Sequence, residues 1–159
     1  MAKVMIMCGK ICSGKSTHSN KLKAENHAVI LSVDEITLAL FGQGAGEKHD
    51  YYVEKLEEYL YQKSLDIIEA GINVILDWGF WTKNERAYAR HFYGSRDIEY
   101  EFYYIDIDDG EWNRRLEQRN REIVEHRSNA YLVDSGLAAK FGAIFEKPDR
   151  SEIDVWVTQ

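Results

Sequence analysis

Gly9-Lys10-Ile11-Cys12-Ser13-Gly14-Lys15-Ser16-Thr17 is the stretch on which the fold turns. It fits G-x-x-x-x-G-K-[ST] at every position. Glycines at both ends let successive backbone N–H groups aim at one concave point, an anion nest. A helix starting near Lys15 adds its positive end. Lys15 supplies a mobile cation, the Ser16 hydroxyl is placed to ligate Mg²⁺, and Cys12, Ser13 and Thr17 complete the cradle. Lys10 lies in the same loop, with its side chain on the ligand or in solvent. The strand-like run Lys3–Cys8 precedes the loop and a helical pattern follows it, as the motif requires. The expected ligand is a nucleoside triphosphate.

Outward from the loop, short strand-like runs alternate with longer helical ones, the signal for a parallel sheet covered by helices. The strands are expected at Lys3–Cys8, Ala28–Val33, Asn73–Asp77, Glu99–Ile107 and Ile153–Val157. The helices are expected at Lys15–Glu25, Asp34–Leu40, His49–Ala70, Lys83–Tyr93, Gly110–Arg127 and Val133–Phe145, with a glycine-rich hinge at Gly42–Gly46. At 159 residues the chain reads as one domain. Its 45% hydrophobic and 30% charged content excludes a disordered chain. No apolar run approaches the roughly 18–20 residues of a membrane span, and no signal segment is visible, so a cytoplasmic protein without a membrane partner is expected. Cys8 and Cys12 have no further cysteine to pair with and read as a buried strand residue and a loop residue.

The net charge of −7 weighs against a long polyanionic partner, whose affinity needs many phosphate contacts. Five of the nine arginines nevertheless fall between Arg114 and Arg127. A local cationic cluster in an acidic protein suits a small anionic ligand.

Three features narrow the chemistry. Asp34 follows a strand, and ligands in such sheets bind at the strands' carboxyl ends. There a carboxylate can take a proton from an attacking hydroxyl, besides capping the next helix. Val74–Asp77 is an apolar strand ending in a carboxylate, a second Mg²⁺ holder beside Ser16. Trp78, Phe80 and Trp81 follow, either as pocket wall or as core. Arg115 and Arg119, four apart, share a helix face and are placed to pack on a base and reach a transferred phosphate.

Gly9–Thr17, Asp34, Val74–Phe80, Arg115/Arg119/Asn120 and Phe145-Glu146-Lys147-Pro148 resemble, in content and order, the small ATP-dependent P-loop kinases. That group includes the 5′-kinase domain of polynucleotide kinase, zeta toxin and chloramphenicol phosphotransferase. The resemblance spans the chain and implies an α/β, three-layer P-loop NTPase fold with a five-stranded parallel sheet, nucleoside-kinase-like, and a short lid at about 119–134. It implies ATP and Mg²⁺ as cofactors, Asp34 as general base, Arg115 and Arg119 as lid arginines, and Phe145–Pro148 near the adenine. The lid lacks an extended basic tail, which weighs against polynucleotide ends.

The reading is a kinase moving the γ-phosphoryl of ATP to a hydroxyl of a small molecule, with Lys15, Asp34 and Arg119 catalytic. A nucleotide kinase would want arginines for its dianionic acceptor. Glu35–Tyr61 holds none, only Lys48 and Lys55, leaving Arg86 and Arg90 to reach in. A polynucleotide 5′-hydroxyl kinase and a non-catalytic nucleotide-dependent switch stay open. No guanine-reading N-K-x-D segment follows the fourth strand.

Overall fold

All five residues of β1 (Val4–Cys8) are buried, as the central strand of a sheet covered on both faces must be. The computed structural model describes residues 1–128 and 130–159. Around β1 stand β2 (Ala28–Leu31), β3 (Asn73–Gly79), β4 (Tyr100–Asp106) and β5 (Val155–Thr158). They are hydrogen-bonded in the order β2-β3-β1-β4-β5, every pair parallel.

Among the described residues six α-helices connect and cover the sheet: α1 (Lys15–Asn26), α2 (Val33–Phe41), α3 (His49–Glu69), α4 (Lys83–Gly94), α5 (Asp109–Val124) and α6 (Ser135–Ile144). Alternation along β1 sorts the layers. Val4, Ile6 and Cys8 pack with Leu60 and Tyr61 of α3 and with Ala89, Phe92 and Tyr93 of α4. Met5 and Met7 pack on the other face with Leu22 of α1. A third cluster, Ile11, Ile107, Trp112, Leu116 and Val133, ties the loop after β1 to α5 and the start of α6. This is the expected three-layer α/β fold with a five-stranded parallel sheet.

Element ends move by one to three residues. The second strand, expected to reach Val33, ends at Leu31 because Ser32 caps α2 and Val33 already lies in the helix. The last helix, expected from Val133, starts at Ser135 because Asp134 caps it through Leu137 N–H. The β1–β3 register shifts between Ile6 and Cys8, which pair with Leu76 and Gly79, so Asp77 and Trp78 together face Met7. Such a bulge re-aims a strand-end side chain. Among the described residues no helix is long and apolar enough to cross a membrane.

Candidate active site

The loop from Gly9 to Gly14 joins β1 to α1 and is held from outside by two indoles. Trp81 Nε1 donates to the Gly9 carbonyl at 3.0 Å, and Trp112 Nε1 donates to the Ile11 carbonyl at 2.7 Å. Gly9 N–H also donates to the Gly79 carbonyl at 3.0 Å, tying the loop to the end of β3. Within the loop Cys12 adopts a left-handed φ of 61°, and Gly14, at φ 101°, is the N-cap residue of α1. Gly14 suits that position because a side chain is strained there. Lys15 Nζ makes one long contact, 3.4 Å to the Lys10 carbonyl. Its ammonium is left with donors to spare.

Three acidic or hydroxyl groups gather beside it. Ser16 Oγ donates to Asp77 Oδ2 at 3.3 Å, joining the first turn of α1 to the bulge of β3. Asp77 is 8% exposed. Asp34 lies in the first turn of α2, where the cap is already supplied: Glu35 N–H donates to Ser32 Oγ at 3.3 Å. The expected capping role of Asp34 is therefore filled by Ser32, and its carboxylate is spare. Asp34 stays reachable from the cavity mouth, yet crowding by the walls raises its pKa above the ordinary range. Lys15 and Arg119 pull it back down, Asp77 pushes it up, and His49 draws it down. Those opposing charges place Lys15, Asp77 and Arg119 within electrostatic reach of one carboxylate.

The arginines of α5 complete the walls. Arg115 Nε donates to Glu111 Oε1 at 2.8 Å, Nη1 to the Ser13 carbonyl at 3.2 Å and Nη2 to Gln159 Oε1 at 3.3 Å. Its guanidinium lies across the loop, 3.3 Å from where a Cβ on Gly14 would stand. Arg119 Nη2 donates to the Tyr131 carbonyl at 3.2 Å, while its Nε is buried without a partner. Ser13 Oγ is likewise buried and unpartnered. Arg119 lines the cavity, and an unmet buried donor there points to a ligand that is to meet it. The cavity is about 1050 Å³, and its walls include Gly14–Thr17, Ser32, Asp34, Asp77, Arg115, Arg119 and Tyr131.

Residues 130–133 are held by Gln43 and Asn120. Gln43 clamps their backbone, donating to the residue-130 carbonyl at 2.8 Å and accepting from Leu132 N–H at 2.9 Å. Asn120 does the same at Val133, accepting its N–H at 3.0 Å and donating to its carbonyl. Thr37 Oγ1 lies 3.3 Å from the Asp34 carbonyl and shares a 2.5 Å hydrogen bond with the Tyr131 hydroxyl. The His49 ring meets the Tyr131 ring edge-on at 5.7 Å. Asn129, inside the expected lid, lies outside the described residues.

Other expected residues are placed elsewhere. Lys10 turns away from the cavity, pairing with Asp109 at 3.0 Å and lying 4.6 Å over the Trp112 ring. Phe145, expected beside a base, stacks on Tyr104 outside the main cavity. Trp78 and Phe80 stack on each other in the core, and Trp81 packs on Phe141. Arg86 and Arg90 are not among the residues lining the cavity. Arg86 is 1% exposed and bonded to Glu152 at 3.1 Å and to the Phe80 and Trp81 carbonyls, while Arg90 shares Glu152 at 3.1 Å. Burial works to raise the Glu152 pKa, but the Arg86 bond and the Asp149 N–H outweigh it and hold the carboxyl at about 2. Cys8 is a buried strand residue, as expected, its thiol pushed up to about 12 by burial.

The fold and this geometry define a P-loop protein of the α/β NTPase type. The family model of AAA_33, an AAA domain, matches residues 4–136, so the chain belongs to that family. None of the curated proteins compared with it matches. Solved structures with the same fold include a sugar kinase and an APS kinase. A sugar kinase from Janibacter sp. HTCC2649 aligns over 99% of this chain and 86% of its own at 13% identity and TM-score 0.68. The Mycobacterium tuberculosis APS kinase CysC, in complex with AMPPNP and APS, aligns over 99% and 88% at 16% identity and TM-score 0.69. A chain of the Pnkp1/Rnl/Hen1 RNA repair complex aligns over 90% of this chain and 43% of its own at 19% identity and TM-score 0.72.

Proposed function

We propose that this chain is an ATP-dependent phosphotransferase that moves the γ-phosphoryl of ATP to a hydroxyl of a small molecule. The whole chain acts as one catalytic domain, with residues 119–134 as its lid. The observation that carries the reading is the meeting of Lys15, the Ser16–Asp77 pair, a spare Asp34 and the half-satisfied Arg119 around one cavity.

The loop amides and Lys15 hold the outer phosphates of ATP, and Arg115 packs against the base or ribose beside Gly14. Ser16 and Asp77, hard oxygen donors 3.3 Å apart, suit Mg²⁺, which when bound neutralises charge on the β- and γ-phosphates. Asp34 accepts the acceptor hydroxyl's proton as its oxygen bonds to the γ-phosphorus. The bond from that phosphorus to the β–γ bridging oxygen breaks, leaving ADP. Arg119 stabilises charge on the phosphoryl group in transit.

A nucleotide acceptor is disfavoured because Arg86 and Arg90 are committed to Glu152. The likeness to the RNA-repair chain supports the polynucleotide alternative, which the net charge of −7 opposes. The test is thermal unfolding with MgATP. A ligand at 100 times its dissociation constant adds about 2.7 kcal/mol, so the melting temperature rises and Lys15→Ala loses most of the rise. An unchanged melting temperature with saturating MgATP refutes the nucleotide site.

A further inference from the structure

Glu111 sits in the first turn of α5, with Arg114 three residues on and Arg115 four residues on, so both arginines can reach it along the helix surface. Arg114 takes the Glu111 carboxylate with two nitrogens, Nη2 donating to Oε1 at 2.7 Å and Nε to Oε2 at 2.9 Å. That grip fixes the carboxylate, whose Oε1 also accepts from Arg115 Nε at 2.8 Å. The bonds from Arg114 and Arg115 hold the Glu111 carboxyl at about 2, so it stays charged at working pH. The other two nitrogens of Arg115 donate to the Ser13 carbonyl at 3.2 Å and to Gln159 Oε1 at 3.3 Å. Arg115 lines the cavity, and with every nitrogen held its guanidinium keeps one plane there. Of its three anchors Glu111 alone is charged, and it makes the shortest bond.

We propose that Glu111 is a positioning residue for the nucleotide base. Fixed by Arg114, it holds the Arg115 guanidinium in the plane on which the base stacks. The inference rests on the reading of Arg115 as the residue that packs on the nucleotide beside Gly14. An arginine attracts phosphate by its charge in almost any orientation, whereas stacking needs the planar face presented to the ring. Glu111 is itself an anion beside a triphosphate site, so it does nothing for the phosphates by charge. Its removal therefore acts oppositely on the two halves of ATP. The base loses its platform, and the phosphate chain loses a repelling carboxylate. An ion pair that only supported the helix would change binding of both halves alike.

The experiment is a calorimetric titration of wild type, Glu111→Ala, Arg115→Ala and the double variant. Each is titrated with MgATP and with magnesium tripolyphosphate, which has the phosphate chain without base or ribose. Wild type is expected to prefer ATP. Glu111→Ala should lower the ratio of ATP affinity to tripolyphosphate affinity by roughly threefold to tenfold. Arg115→Ala should lower it at least as far, and adding Glu111→Ala to it should lower it no further, because Glu111 acts through Arg115. An unchanged ratio in Glu111→Ala, or the same fall with and without Arg115, overturns the proposal. A wild type that binds both ligands equally also overturns it and leaves the phosphate loop standing. A wild type that binds neither rejects the nucleotide site itself, and the proposal with it.

Discussion

Gly79 ends β3 at φ 95°, and a Cβ built there would lie 2.4 Å from Trp81 Nε1 and 2.8 Å from Trp81 Cδ1. Gly79→Ala therefore imposes two costs. Holding an alanine at positive φ costs about 1–2 kcal/mol. Displacing the indole breaks its bond to the Gly9 carbonyl, worth about 1 kcal/mol and more if that carbonyl is left buried and unmet. The sum, about 2–4 kcal/mol, lowers the melting temperature of a domain this size by roughly 5–15 °C. The assay is a double-mutant cycle with Trp81→Ala, read by urea or thermal unfolding. With the ring gone only the backbone cost remains, so the two substitutions should couple by about 1–2 kcal/mol. The variant should also lose part of its MgATP stabilisation, because the indole positions the loop. Additivity within about 0.5 kcal/mol would show that Trp81 does not require a glycine at 79, and the account of the clamp would fail.

Arg119→Ala should depress turnover far more than ATP affinity, since its unmet Nε is available to charge that develops in transfer; Arg115→Ala should do the reverse, and equal small effects in steady-state kinetics would refute both roles. Burial, with Glu85 and Glu54 adding like charge, pushes Glu57 from 4.5 to about 7. A raised carboxyl favours the fold at low pH and loses that advantage as pH climbs through the raised value. Glu57→Gln should therefore stabilise by about 1–3 kcal/mol at pH 8 and by little near pH 4, checked by unfolding at both. The raised Asp34 pKa predicts a rate that climbs with pH, its midpoint above the ordinary aspartate value, in a pH profile of kcat/KM.

The phosphate loop and the five strands were legible because both signals are local. The loop is a fixed spacing, and the strands are apolar runs between helical periods. Asp34 and Ser32 exchanged the capping role because both are good caps two residues apart, and only the end of β2 decides between them. The aromatic run after Asp77 was ambiguous for a different reason. Trp78 and Phe80 stack in the core while Trp81 bonds the loop, and the strand there carries a bulge at Asp77 and Trp78 and a left-handed φ of 49° at Phe80. The commitment of Arg86 to Glu152, 66 residues away, leaves no trace in either local pattern. The ties across α2 are likewise non-local: Thr37 bonds Tyr131 and Gln43 bonds Leu132, each some ninety positions on. The indoles of Trp81 and Trp112 were the plainest missed signal: each buried N–H needs an acceptor, and the loop carbonyls were the nearest unpaired set.

The central claim is that Asp34 takes the proton from an attacking hydroxyl, and Asp34→Asn isolates it. Asparagine keeps the size and removes the base, and the cap on α2 is untouched because Ser32 supplies it. The decisive measurement is the rate of label transfer from γ-labelled ATP to a hydroxyl acceptor at saturating MgATP. The account predicts an intact MgATP melting shift with transfer reduced by about 10²–10⁴. Transfer at the wild-type rate would contradict it.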